Sequence, residues 1–327
     1  MIFMKKTLLV TCMAAAFAVV CTHAAAQEPY PSRPVTLVIP AAPAGLTDIL
    51  GRLLAPALSR TMKQPVVVSN RPGAGGSVGA AVIAKGPPDG YNILVAITSL
   101  ATLPEQEVIN ERPPAFRLSE LSTIAAISTE PMMLVVRPDS PYTTLRDIVD
   151  DARKRAGMVS YSTTGVYGTY HVATEQFAAE AGIRLLSAHY KGGGDALRAI
   201  LSREVDMSLV TRSVGMAQIT AGKIKPIAAW GPKRWEQFPT IPSLRDEGFQ
   251  SGYDLVTGLF VSVNTPLNVQ VALRDAVRLA VQDAQFRTSM EKASAVITYM
   301  DAPEFGRLWE RESVRLNAVI RKIGRLE

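Results

Sequence analysis

Two short stretches hold the residue types that can do chemistry. The first is Ala44-Gly45-Leu46-Thr47-Asp48, which follows the apolar run Val35 to Ile39 and the kink residues Pro40 and Pro43. The second is Ser162-Thr163-Thr164-Gly165 with Thr169 and His171, which follows Val159-Ser160-Tyr161. Each reads as a strand, an irregular loop and the start of a helix. A helix start leaves backbone N–H groups without intrahelical acceptors, and with its partial positive charge it suits an anion or a carboxylate. Hydroxyls both donate and accept, so the second stretch makes a polar pocket floor. Thr47 and Asp48 also suit plain helix capping, and the second stretch suits an ordinary Ser/Thr-rich connection.

Other chemistries find little support. A hydrolase would need Ser162 or Ser99 beside His171 and an acid, yet the chain has no Gly-x-Ser-x-Gly elbow. Asn70-Arg71-Pro72-Gly73-Ala74-Gly75-Gly76 lacks the Gly-Lys-Ser/Thr ending of a P-loop and misses dinucleotide spacing by one residue. It reads as a tight turn with close helix–strand packing. Cys12 and Cys21 both lie in an N-terminal stretch where Lys5 and Lys6 precede an apolar run and Ala24-Ala25-Ala26 offers a cleavage site. We read residues 1–26 as a secretory leader, with a lipid anchor at Cys21 as the rival. A mature chain without cysteine and with only His171 and His189 excludes a thiol nucleophile and a Cys-ligated metal, and disfavours a multi-histidine site. No metal or cofactor is expected.

The leader removes two of the 35 basic residues and none of the 29 acidic ones, lowering the formal charge from +6 to +4. The excess is mild and spread out, so no nucleic-acid footprint is expected. No later apolar run approaches the length of roughly 20 residues needed to span a bilayer.

The elements that must position these loops alternate between strand and helix. Further strands are expected at 65–69, 91–97, 123–128, 132–137, 185–188, 206–210, 224–230 and 255–263. Helices are expected at 77–85, 144–155, 172–181, 196–201, 215–221, 269–284 and 304–323, with 101–119 irregular. The alternation argues for an α/β protein built on parallel sheets covered on both faces. Two similar halves imply two lobes, 27–128 with 251–327 and 129–250. Ligands of such sheets sit beyond the carboxyl ends of the strands.

The succession YPSRPVTLVIPAAPAGLTD, PVVVSNRPGAGGSVGA, PPDGYNILVA, SYSTTGVYGTYH and HYKGG resembles the Bug-type periplasmic receptors of tripartite tricarboxylate transporters. The resemblance runs in order over essentially the whole mature chain. It implies a two-lobed, type II-like periplasmic binding protein of the Venus-flytrap kind, a non-enzymatic monomer. Such a receptor closes on a small organic acid and presents it to the membrane subunits of a transporter. Carried over, Ala41, Ala44, Gly45, Leu46, Thr47 and Asp48 line one side of the cleft. Ser162, Thr163, Thr164, Gly165 and Thr169 line the other, with Ser99 and Tyr190 at the margins. The chain departs from the family's usual phenylalanine at Ala41, glycine at Ala44 and small residue at Leu46. Thr211-Arg212 replaces an Asp-Asn pair, and Arg212 either enters the cleft and favours a more anionic ligand or sits on the surface. A sensing receptor that feeds a signalling partner is the alternative from another class.

Overall fold

A computed structural model describes residues 29–325, and the leader reading at residues 1–26 lies outside them. Among the described residues the chain forms ten strands and ten α-helices, with three short 3-10 turns. The strands are β1 (Val35–Ile39), β2 (Val66–Asn70), β3 (Asn92–Ile97), β4 (Leu121–Glu130), β5 (Met132–Val136), β6 (Ser160–Thr163), β7 (Leu186–His189), β8 (Met207–Thr211), β9 (Lys225–Ala229) and β10 (Leu255–Ser262). They make two five-stranded sheets, β2-β1-β3-β10-β4 and β7-β6-β8-β5-β9. Both follow one plan, with the fourth strand in each order running against its neighbours. β10 is antiparallel to β3 and β4, and β5 is antiparallel to β8 and β9.

The expected all-parallel sheets are therefore mixed. The reversed strand in each sheet is the one by which the chain enters from the other sheet, β5 after Pro131 and β10 after the long return from β9. Such a strand is not fed by a helical crossover, so nothing compels it to run parallel. β5, β8 and β10 are buried along their whole length; β5 is an unbroken apolar run, while β8 and β10 also bury Ser208, Thr211, Thr257 and Ser262.

The helices are α1 (Leu46–Met62), α2 (Ser77–Lys85), α3 (Leu103–Ile109), α4 (Leu145–Lys154), α5 (Thr169–Ala181), α6 (Gly193–Leu201), α7 (Arg212–Thr220), α8 (Leu267–Ala280), α9 (Ala284–Lys292) and α10 (Ala302–Ile323). α10 buries Phe305, Trp309, Leu316 and Ile320, all on one face. Phe305 and Trp309 meet Phe260 of β10 at ring-centroid distances of 5.3 and 4.8 Å. Aromatic packing of this kind fastens the C-terminal helix to the first sheet.

Two helices escape the periodicity. α3 lies in the stretch read as irregular, and it is too short to display an apolar stripe. α9 separates from α8 because Asp283 caps it, accepting the Phe286 N–H at 2.8 Å. Asp283 also pairs with Arg60 of α1 at 2.6 Å, but both groups are partly exposed and such pairs contribute little. We expect Asp283→Ala to cost about 1 kcal/mol through the lost cap, as read by denaturant unfolding, and Arg60→Ala distinctly less.

Candidate functional site

The carboxyl ends of β1, β3, β6, β7 and β8 open onto one cavity of about 370 Å³. From the first sheet come Pro40 and Ala41 after β1, Ile97 and Ser99 at the end of β3, and Gly45, Leu46 and Thr47 at the start of α1. From the second come Thr164 and Gly165 after β6, Gly168, Thr169 and Tyr170 at the start of α5, and Tyr190 to Gly193 leading into α6. Thr211 closes the end of β8.

Five helices thus have their N-cap residue in this lining, and four of the five start on a glycine, α7 starting on Thr211. Gly45, Gly76, Gly168 and Gly192 hold the N-cap positions of α1, α2, α5 and α6, none with a side-chain cap. A serine or aspartate there would turn its oxygen onto the first-turn N–H groups. The Val78 N–H of α2 turns to the Gly73 carbonyl at 3.5 Å, the Tyr170 N–H of α5 to Thr164 Oγ1 at 3.4 Å and the Ser213 N–H of α7 to Glu130 at 3.1 Å. α1 and α6 are therefore the glycine starts that bring their first-turn donors and positive dipole ends to the cavity. Among the described residues Lys191 is the one charged side chain lining the cavity, and it is exposed.

The two sides touch. Ser99 and Thr169 share a short hydroxyl–hydroxyl bond across the cleft, and Thr102 Oγ1 donates to the Tyr167 carbonyl at 3.3 Å. Backbones also approach: a Cβ at Gly45 would lie 3.6 Å from the Gly193 nitrogen, and one at Gly165 would lie 3.9 Å from the Gly75 Cα.

Of the residues expected from sequence, Ala41, Gly45, Leu46, Thr47, Ser99, Thr164, Gly165, Thr169 and Tyr190 line the cavity. Ala44, Asp48, Ser162, Thr163 and Arg212 are not among the lining residues. Asp48 is buried and accepts from the Ala44 N–H at 2.9 Å, the Asn70 amide at 2.9 Å and the Arg52 guanidinium at 3.0 Å. Burial pushes its carboxyl up, but Arg52, the Ala44 N–H and Asn70 together hold it below the usual range. Asp48 therefore shapes the loop from behind. Ser162 and Thr163 belong to β6: Ser162 donates to the Ala196 carbonyl and bonds Ser208, and Thr163 pairs with His189 at 2.8 Å. Arg212 opens α7, and its charge is felt by Glu130. Glu130 is buried at the β4–β5 crossover, where it accepts N–H bonds from Val296 and Ser213 at 3.0 and 3.1 Å.

Ala44 carries φ of 64°, the left-handed region. A non-glycine residue there is strained by roughly 1–2 kcal/mol. The Asp48 carboxylate on its N–H holds the loop in that shape. Ala44→Gly is expected to raise stability by up to about 1 kcal/mol, measurable by chemical denaturation.

The glycine-rich turn after β2 does more than the close packing expected of it. Gly79 does pack closely, since a Cβ there would lie 2.8 Å from Pro40, but Pro72 to Gly76 also line the cavity. Leu100, Leu103, Leu255 and Tyr170 line it too. The usable signal is position, because a loop after a parallel strand's carboxyl end faces the ligand crevice.

The family model for the tripartite tricarboxylate transporter family receptor matches residues 50–325. The chain belongs to this receptor family. The receptor is 29% identical over 300 residues to the "UPF0065 protein in gbd 5'region" of Cupriavidus necator, covering 92% of this chain and 90% of that one. Among solved structures it is similar to the periplasmic binding protein BugD, with TM-score 0.82 and 26% identity over 90% of this chain and 98% of that one. It is also similar to R. palustris Rpa4515 with adipate, with TM-score 0.80 and 25% identity over 89% of this chain and 97% of that one. The family is one of solute-binding receptors, not enzymes, and the receptor's serines agree. Ser162 is held by Ala196 and Ser208, Ser99 by Thr169, and His171 Nδ1 by the Tyr167 N–H at 2.9 Å.

Proposed function

We propose that the receptor captures a small carboxylate-bearing solute in this cavity and delivers it to the membrane subunits of a tripartite transporter. The observation that carries the reading is the meeting of two glycine-started helices, α1 and α6, at one cavity lined from both sheets. A carboxylate there would accept backbone N–H bonds without needing an arginine. Adipate in the similar R. palustris protein is consistent with such a ligand.

Capture would follow closure of two lobes, residues 27–128 with 251–327 against residues 129–250, about the Glu130–Met132 crossover and the return before Leu255. The strands divide between the sheets in this way, which supports the division. The receptor would work as a monomer in the periplasm; among the described residues no helix is long and apolar enough to cross a membrane.

The test is a thermal-shift screen of organic acids and their neutral amides on the purified receptor. A carboxylate that binds only the folded state raises Tm by an amount that grows with its concentration, and the matching amide does not. Failure of every carboxylate to shift Tm would overturn the reading.

A further inference from the structure

Tyr167 lies in the second-lobe loop between Gly165 and Gly168, which both line the cavity, yet Tyr167 is not among the lining residues. It is wholly buried, and its ring meets that of His171 edge-on at a centroid distance of 5.8 Å. Its N–H donates to His171 Nδ1 at 2.9 Å, within its own lobe. The other two bonds cross to the first lobe. The Tyr167 carbonyl accepts from Thr102 Oγ1 at 3.3 Å, and the Tyr167 hydroxyl donates to the Gly324 carbonyl at 2.6 Å. Gly324 stands just beyond α10, which packs against β4, the Thr98–Thr102 turn and α3 of the first lobe and reaches α5 of the second. Leu316 and Ile320 bury the last turns of α10, and Arg321 pairs with Glu105 of α3 at 2.6 Å. Gly324 is therefore an acceptor fixed to the first lobe.

Tyr167 carries φ of 53°. A bulky residue in the left-handed region is uncommon and persists where its surroundings hold it there. The His171 bond holds the backbone, and the two cross-lobe bonds hold the carbonyl and the ring. Separating the lobes breaks both cross-lobe bonds at once. The other cross-lobe bond, between the Ser99 and Thr169 hydroxyls, joins two lining residues, so a bound solute can compete for it. Tyr167, Thr102 and Gly324 are all outside the lining, so their contacts stay made whatever occupies the cavity.

We propose that Tyr167 is the latch of the closed receptor, a positioning residue that fastens the second lobe to Gly324 and Thr102 of the first. A contact made only when the lobes are closed adds its free energy to the binding of every solute that closes them. The latch thus raises affinity for all cargo alike, and selectivity is left to the cavity lining. The inference rests on the two-lobe closure proposed above.

The test is the rate at which a bulky maleimide labels a cysteine placed in the cleft, because that rate is proportional to the open population. Ser99→Cys supplies the thiol at a buried cleft position, with Cys12→Ser and Cys21→Ser removing the chain's other two. Adding Tyr167→Phe, which keeps the ring and removes the hydroxyl, is expected to speed labelling about threefold to tenfold. The control is Tyr161→Phe. Tyr161 is equally buried, and its hydroxyl donates to Glu175 at 2.6 Å inside the second lobe, so its loss should lower Tm but leave labelling within about twofold. Gly194→Phe is a wedge, since a Cβ there would already lie 3.0 Å from the Ala44 carbonyl oxygen of the first lobe, and it should speed labelling whatever the latch does. Unchanged labelling with Tyr167→Phe, or equal acceleration by Tyr161→Phe, overturns the latch. If Gly194→Phe still accelerates labelling, the two-lobe closure stands without it; if no variant does, both are overturned.

Discussion

Gly194→Ala is expected to weaken ligand binding by roughly tenfold and Gly194→Val by about a hundredfold, corresponding to about 1–3 kcal/mol of overpacking. A Cβ at Gly194 would lie 3.0 Å from the Ala44 carbonyl oxygen, 3.2 Å from its carbon and 3.3 Å from the Pro43 oxygen. These atoms are backbone of the opposite loop, which Asp48 already pins through the Ala44 N–H, so they cannot turn aside as a flexible side chain would. Gly194 stands in the first turn of α6, where alanine is a better helix former than glycine. The substitution therefore leaves the helix sound and acts on the approach of the two sides. With the organic acid that gives the largest thermal shift, calorimetry should show the graded loss, while the Tm of the unliganded protein stays level or rises slightly. Unchanged affinity in Gly194→Val would mean that the contact between Gly194 and the Pro43–Ala44 loop is not part of the ligand-bound state.

Sequence patterns reach the elements more easily than the roles of individual side chains. β1, α2 and α10 announce themselves through apolar runs, glycine and proline punctuation, or a long 3.6-residue stripe. Strand direction is out of reach because nothing in the mostly apolar β5 and β10 tells one sense from the other, and only the crossover between sheets reverses them. At the cavity, loop position is legible and orientation is not. Ser162 and Thr163 read as loop hydroxyls, but β6 extends through both, and in a strand neighbouring side chains point to opposite faces. Their hydroxyls are consumed inside the second sheet, by Ser208 and His189. Asp48 follows the same logic: its chemistry is that of a ligand-binding residue, yet Arg52, Asn70 and Ala44 satisfy it from behind. The apolar wall of leucines carries no signal at all, since leucine in a crevice and leucine in a core look alike in one dimension.

Acid is expected to loosen the second side of the cleft through His171. The imidazole is buried at 1% exposure, and desolvation, helped by the neighbouring His189, pulls it from 6.5 down to about 4. The neutral ring also has a structural role, since Nδ1 accepts the Tyr167 N–H at 2.9 Å, and Tyr167 itself carries φ of 53°, a left-handed conformation. The folded-state value lies below the unfolded one, so this stabilisation is complete above about pH 6.5 and is lost as pH falls toward about 4. Between those limits the unfolded chain binds a proton that the folded one refuses, a difference on the order of 3 kcal/mol. The carboxyls of Glu130 and Glu175, both raised by burial, act in the opposite sense and are shared by wild type and variant. His171→Asn removes the titration while leaving an oxygen able to accept the Tyr167 N–H. We expect the variant to be less stable than wild type at pH 7.5, through lost packing, but to lose much less on going to pH 4.5. Denaturant unfolding of both proteins at several pH values reads the difference. Parallel curves would show that His171 is not held neutral in the fold. Because Tyr167 sits between Gly165 and Thr169 at the cavity, wild-type ligand affinity should fall over the same interval and the variant's should fall less.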